Sequence, residues 1–361
     1  MTKQLKDRVA IVDPSSYSLP YDFFYINELR YSVHIDFYFS KCNSNYEYIN
    51  RLKTFKNVTL HEYLISPSST NKINGLYNYF LMLKDIFLKR NTYKKIHFIW
   101  NVFIFFELVL FIVVRDKLIF TFHNDVPHGY RYKVYFPYKV IKIISSKILF
   151  VSNYTKANFV LNYGSHKDAS VIQHGLLPID LSLSVNSNVS KPFEYKIIFW
   201  GRVEEYKGVD TFLTHIREQP VEIYGKWSSK LDSLKAKLSL LDNIYINDSY
   251  LTHSELLDLL SRECVFILPY KDATQSGILY TLLTYGKVFI SSNVGENKDF
   301  LLKHGLGKLI FDRSDEQSII DAINYATKEY EIIKLKFKDI RGEYQWSETM
   351  DIHKVSNLYD L

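Results

Sequence analysis

A chain of 361 residues is long for one domain and sufficient for two, each able to bury its own core. Its two cysteines, Cys42 and Cys264, stand far apart with no CxxC and no metal-type His/Cys spacing, which argues against a disulfide framework and for a reducing compartment. The net charge of +6 hides an asymmetry: residues 1–178 carry 23 Lys/Arg against 12 Asp/Glu, and residues 179–361 carry 22 against 27, so the halves stand at +11 and −5. A basic first half points to an anionic partner, either a phosphorylated substrate or an acidic membrane leaflet. Nucleic acid is the weaker choice, because no nucleic-acid motif accompanies the charge. The start lacks a secretory pattern, since the apolar run 9–12 stops at Asp13-Pro14. A cytoplasmic location is therefore expected, extending to the inner face of the plasma membrane.

In chain order, residues 8–13 read as a first strand, followed by a Ser-, Tyr- and Pro-rich loop at 14–22 that contains Ser15, Tyr17 and Asp22. Helical spacing follows at 23–30, strands at 32–40 and 58–64, and an amphipathic helix at 73–88. The most hydrophobic stretch, 96–114, is near the minimum length of a membrane span but contains His97, Asn101 and Glu107. Its better reading is a strand at 96–100, a buried helix at 101–115 and a strand at 117–122. That last strand runs into His123-Asn124-Asp125-Val126-Pro127-His128-Gly129, a polar, titratable turn at the place where open α/β sheets put their sites. Residues 131–147 interleave Lys139 and Lys142 with Tyr135, Phe136 and Tyr138, a pattern that suits a membrane interface or a nucleic-acid groove. The alternative is a solvated helix with an apolar underside. A strand at 148–151, a helix capped near Ser152 and a strand at 170–173 lead to His174-Gly175. Residues 178–192, rich in Ser and Asn, form the clearest linker.

The second half repeats the β/α alternation. Strand 197–200 ends at Gly201, Arg202 and Lys207 follow, and Gly208 precedes a helix expected over 209–218. Cations in a Gly-bounded βα loop can clamp an anion. Further strands are expected at 221–224, 244–246, 264–268 and 287–291, and helices at 229–240, 252–261 and 278–285. Ser276 and Gly277, at the start of the last helix, aim backbone amides and the positive dipole end at an anion. The fold class is α/β, with parallel sheets covered on both faces by helices.

Several of these stretches resemble the GT-B glycosyltransferases, family four and its relatives in particular. Gly201-Arg202-Val203-Glu204-Glu205-Tyr206-Lys207-Gly208 is similar to that family's Gly-Arg…Tyr-Lys-Gly element, and Ser276-Gly277…Tyr285-Gly286-Lys287 to its donor-site helix. His123-Asn124…Pro127-His128 resembles its His motif, Gln173-His174-Gly175 the end of its first domain, and 346–361 its returning terminal helix. The resemblance implies two Rossmann-like domains facing a cleft: an acceptor domain at 1–178, a linker at 179–193, a nucleotide-sugar domain at 194–343, and a helix at 344–361 that packs back on the first. It implies a hexosyltransferase that takes a UDP- or GDP-type sugar to a glycan or lipid-diphosphate-linked glycan, as in bacterial capsule, O-antigen, lipopolysaccharide or exopolysaccharide assembly. The nucleotide sugar is a substrate, and no cofactor is expected.

By the same resemblance, Arg202 and Lys207 hold the diphosphate, Gly201, Ser276 and Gly277 line it, and His123 contacts the donor sugar. Ser15, Tyr17, Asp22 and His128 then stand on the acceptor side. Asp-X-Asp occurs nowhere, which favours a metal-independent arrangement. The family's two glutamates, eight positions apart around the donor helix, are absent, and Gln275 and Thr281 are left to make those contacts. Retention needs no protein nucleophile if the leaving phosphate takes the acceptor proton; inversion needs a base, for which Asp125, His123 and Asp22 are candidates. Two other readings share the fold: a nucleotide-sugar epimerase, and a catalytically silent sugar-nucleotide binder.

Overall fold

The computed structural model describes residues 7–16, 18–41, 46–65, 71–124, 131–179, 192–215, 218–272 and 276–361. The chain divides into two compact units, one of residues 1–175 with 346–361 and one of 176–345.

The first unit is built on seven parallel strands in the order β3-β2-β1-β4-β5-β6-β7. In sequence these are β1 (Arg8–Asp13), β2 (His34–Ser40), β3 (Val58–Tyr63), β4 (Lys95–Phe98), β5 (Leu118–Phe122), β6 (Lys147–Phe150) and β7 (Ala169–Val171). Helices α1 (Leu19–Leu29), α2 (Tyr46–Leu52), α3 (Lys72–Lys89), α4 (Ile104–Val113), α5 (Arg131–Ile144) and α6 (Asn153–Tyr163) connect them. The strands read as near-continuous apolar runs because a parallel sheet is buried on both faces. One face takes Met82 and Ile86 of α3, Phe111 of α4, Ile141 of α5 and Phe159 of α6 into a single core. Strand order reverses between β1 and β4, whose direct pairing marks the switch point of the sheet.

The second unit has six parallel strands in the order β10-β9-β8-β11-β12-β13. These are β8 (Phe193–Trp200), β9 (Val221–Tyr224), β10 (Ile244–Asn247), β11 (Glu263–Leu268), β12 (Phe289–Ser292) and β13 (Ile310–Phe311). The helices are α7 (Val209–His215), α8 (Asp232–Leu238), α9 (His253–Ser261), α10 (Gly277–Thr284), α11 (Gly295–Lys303), α12 (Glu316–Lys328) and α13 (Tyr330–Ile340). Its switch point lies between β8 and β11. Two last helices, α14 (Trp346–Thr349) and α15 (Ile352–Tyr359), belong to the first unit. Tyr359 is fully buried there: its hydroxyl lies 2.6 Å from His97 Nδ1 and 2.9 Å from that of Tyr25. The adjoining Asp360 carboxylate pairs with Lys95 and Lys147.

The first helix begins at Leu19 rather than 23, because Pro20 occupies its first turn, where a missing N–H costs nothing. The sequence expectation lacks α2, α11, α12, α13 and β13. The apolar stretch 96–114 resolves into the end of β4 and α4, with β5 following at Leu118; α4 is not the buried helix expected, because its outer residues Phe105, Phe106, Val109, Ile112 and Val113 are exposed. Among the described residues, no helix is long and apolar enough to cross a membrane.

Candidate functional site

Polar side chains gather at the carboxyl edge of each sheet, next to its switch point. In the second unit, β8 ends at Gly201, whose φ of +132° and close approach to Ile278 exclude a side chain: a Cβ there would lie 2.7 Å from Ile278 Cδ1. This contact sets the loop after β8 against the first turn of α10. A short 3₁₀ turn, Glu205–Lys207, then closes at Gly208 in the left-handed region, where a Cβ would stand 2.0 Å from the Pro269 carbonyl oxygen. The Lys271 amide donates to the Tyr206 carbonyl at 2.8 Å, and Lys271 pairs with Asp210. The loops after β8 and β11 are thereby fixed to each other.

Lys207 lies at the centre of this arrangement. Its ammonium sits 3.7 Å from the ring centroid of Tyr270, and among the described residues no carboxylate is within ion-pair distance of it. Loss of hydration lowers its pKa to about 8, and the nearby Arg202 guanidinium pushes in the same direction while Tyr206 opposes it. Tyr270 is buried, and its hydroxyl lies 3.3 Å from Ser276 Oγ. Ser276 is the N-cap of α10 by position and extended backbone, yet its side chain makes no capping hydrogen bond. The Leu279 amide donates to the Ser276 carbonyl at 3.0 Å instead, and among the described residues no side chain caps the start of α10. Arg202 is about half exposed, with Glu204 Oε1 3.9 Å away. A desolvated lysine, a second cation and an uncapped helix start converge on a space suited to a phosphate.

Gly277 differs from Gly201 and Gly208. A Cβ there would meet Leu177 Cδ1 at 3.6 Å, an ordinary contact, so among the described residues nothing requires glycine at this position. Thr281 is buried, and its hydroxyl donates back to the Gly277 carbonyl at 3.2 Å. Gln275 lies outside the described residues.

Sequence reasoning missed Glu296 and Asn297, in the first turn of α11. Both are buried; Tyr280 donates to Glu296 Oε1 at 2.6 Å, while Glu296 Oε2 and both polar atoms of the Asn297 amide have no hydrogen-bond partner among the described residues. Burial raises the Glu296 pKa to about 8, so at neutral pH this acid carries a proton it can donate. The available signal was Gly295, at φ +62°, standing between a buried strand and an acid-amide pair.

In the first unit, β1 ends at Asp13, whose Oδ1 accepts from the Ser15 amide (2.9 Å) and hydroxyl (2.7 Å). Asp22, on α1, faces Asp13 as a second fully buried carboxyl. Burial raises the Asp22 pKa well above its ordinary range, with the Asp13 charge adding to this, and raises that of Asp13 as well; Asp13 Oδ2 and both Asp22 oxygens have no hydrogen-bond partner among the described residues. His123, just past β5, stacks on Trp100 with ring centroids 3.7 Å apart and planes 7° from parallel. Tyr21 meets His123, His174 and Trp346 edge-on at 5.0–5.3 Å. Burial lowers the His174 pKa to about 4, so its ring is neutral. The hydroxyl of Tyr21 and the indole N–H of Trp100 are buried with no hydrogen-bond partner among the described residues. Tyr17, Asp125 and His128 lie outside the described residues, and among those described no cluster of His, Cys, Asp or Glu could hold a metal ion.

Two Rossmann-like units with sites at their switch points define the class, and the fold is the GT-B fold. Anabaena HepE, solved in complex with UDP, superposes with a TM-score of 0.70 over 99% of this chain and 100% of its own, at 11% identity. Sucrose-phosphate synthase from Thermosynechococcus elongatus gives 0.65 over 95% and 96% at 14% identity. WaaG, a glycosyltransferase involved in lipopolysaccharide biosynthesis, gives 0.62 over 97% and 99% at 12%. No curated protein matches the chain in sequence. In the second unit, residues 194–329 match the family model described as Glycosyl transferases group 1. The resemblance to GT-B glycosyltransferases therefore holds in the fold and, for that segment, in sequence.

Proposed function

We propose that this protein is a hexosyltransferase-type glycosyltransferase that moves a sugar from a nucleotide-diphosphate donor of UDP or GDP type to a glycan or lipid-linked glycan acceptor. The observation that carries the reading is Lys207, desolvated over Tyr270 beside Arg202 and the uncapped start of α10. Departure of the nucleoside diphosphate builds negative charge on phosphate oxygens, and fixed cations and amides at that point stabilise it without a metal. The anomeric carbon–phosphate oxygen bond breaks while a bond to the acceptor oxygen forms on the same face. The acceptor proton passes to the departing phosphate oxygen, so retention needs no protein base. In this reading Glu296 and Asn297 offer donors and an acceptor to the sugar or nucleoside, His123 contacts the donor sugar, and Ser15 stands on the acceptor side.

The test is a thermal-shift screen against UDP-, GDP-, CMP- and dTDP-sugars, beginning with UDP, the nucleotide bound in the HepE structure. A ligand that binds the folded state alone raises the melting temperature by mass action, and Arg202→Ala with Lys207→Ala is expected to abolish the rise. A shift undiminished in the double variant removes the clamp. Conversion of the donor alone into an isomer would instead support the epimerase.

A further inference from the structure

The most apolar surface of the first unit lies on the outer faces of α3, α4 and α5, and neither site described above uses it. Helix α4 is built backwards for a solvent-facing helix. Its inner face buries Glu107, Leu110 and Phe111, and its outer face presents Phe105 (63% exposed), Phe106, Val109 (68%), Ile112 and Val113. The one charge on α4, Glu107, is turned inward, where Tyr79 and the Val102 amide donate to it. The patch continues across neighbouring helices. Phe80 of α3 meets Phe106 edge-on at 5.3 Å, Ile73 and Tyr77 extend the exposed stripe along α3, and α5 packs against the other side of α4 with Tyr135 and Phe136 exposed. Contiguous exposed apolar surface on this scale marks a docking face.

Charge selects the occupant. Lys72 and Lys84 on α3 and Lys139 on α5 are exposed, and Arg115 follows α4. The acids on these three helices are Asp85, paired to Lys89 at 2.8 Å, and the buried Glu107. Arg115 is offset by the exposed Asp116 beside it at 3.7 Å, so the lysines carry the charge: a face of Phe, Val and Ile bordered by Lys72, Lys84 and Lys139, with no exposed acid on its three helices, is complementary to an anionic lipid leaflet, the rings and aliphatic chains entering the headgroup–acyl boundary and the ammonium groups meeting lipid phosphates. We propose that α3, α4 and α5 seat this protein on an anionic bilayer, with the outer face of α4 as the inserted element. The location differs from the sequence expectation, which put weight on Lys142. Its ammonium is half-buried and donates to the Tyr163 carbonyl at 2.8 Å, so it serves the fold.

Co-sedimentation of the full chain with phosphatidylcholine vesicles, and with vesicles containing ~30% phosphatidylglycerol, tests the proposal. Binding to the anionic vesicles in preference to the neutral ones is expected. Phe105→Ser with Ile112→Ser, both exposed and so spared a folding penalty, should lower the partition roughly tenfold or more by removing inserted apolar surface. Lys84→Glu with Lys139→Glu should lower it for the anionic vesicles and respond to salt. Melting temperature and nucleotide binding serve as controls, because neither pair touches the candidate sites. Equal binding to both vesicle types, or anionic binding that survives both double variants, overturns the proposal. So does failure to bind vesicles together with a concentration-dependent dimer that the Phe105/Ile112 variant dissociates, which would assign the face to a second copy of the chain.

Discussion

At the scale of single residues, two positions separate binding from stability. Among the described residues a methyl group at Gly277 meets nothing closer than Leu177 Cδ1 at 3.6 Å, and alanine is a better helix former than glycine. Gly277→Ala is therefore expected to leave the melting temperature unchanged or raised while weakening donor binding, read by calorimetry. If donor affinity is unaltered, phosphate does not approach this backbone. Gly208→Ala should instead lower the melting temperature and donor affinity together, because its clash with the Pro269 carbonyl distorts the loop that holds Arg202 and Lys207. Lys207 adds a pH signature. Its folded pKa of about 8 lies below the ordinary lysine value, so across that interval the unfolded chain holds more protons than the folded one. Stability of the ligand-free protein should then rise with pH from about 8 upward, and Lys207→Met should remove that slope. Donor binding runs the opposite way, because the diphosphate needs the ammonium. Affinity is expected to fall above about pH 8, with net proton uptake on binding near that pH, detected as a dependence of binding enthalpy on buffer ionisation.

At the scale of elements, α4 carries the clearest stability prediction. Burial raises the Glu107 pKa to about 7 against the hydrogen bonds from Tyr79 and Val102, which oppose the shift. The folded state thus binds the extra proton between the ordinary glutamate range and about 7, and stability is lost as pH rises through that window. A shift of this size corresponds to ~3 kcal/mol in full, and Glu107→Gln should flatten the profile measured by urea unfolding at pH 5 and pH 8. Legibility in the sequence follows the reach of each signal. The strands and α3 are legible because apolar runs and helical spacing are local, and the stretch 96–114 is legible because His97, Asn101 and Glu107 break a span. The Gly201–Gly208 loop shows itself because two glycines and two cations stand within eight positions. The partnership of Asp13 with Asp22 depends on a helix folding back on the end of β1, and Glu296 with Asn297 has the polarity of any helix start. Both pairs acquire meaning through burial, which no spacing encodes. Tyr270 was passed over for the same reason: its role appears once Lys207 is seen above its ring.

At the scale of the molecule, each unit has its own sheet, its own core and its own cluster at the switch point, so ligand effects should be separable by unit. The second unit contains the cationic loop, the α10 start and the Glu296–Asn297 turn within one core. The first contains the Asp13–Asp22 pair, the Trp100–His123 stack and the α15 anchor, in which Tyr359 bonds to His97 while burial holds that imidazole neutral with a pKa of about 3. Hydrogen exchange of the full chain with saturating nucleoside diphosphate should slow at 201–209, 268–272 and 276–281, because a ligand bound there suppresses the local opening that exposes their amides. Amides of β4, β5 and α15 should keep their rates. Tyr359→Phe inverts the pattern. It strips a buried histidine of one hydrogen-bond partner, a loss of ~1–3 kcal/mol, and should speed exchange in α15 and β4 while leaving nucleotide protection in the second unit intact. Protection by nucleoside diphosphate that appears instead at 97–100 and 121–124 would move the phosphate site to the first unit and, with it, reassign which sheet holds the donor.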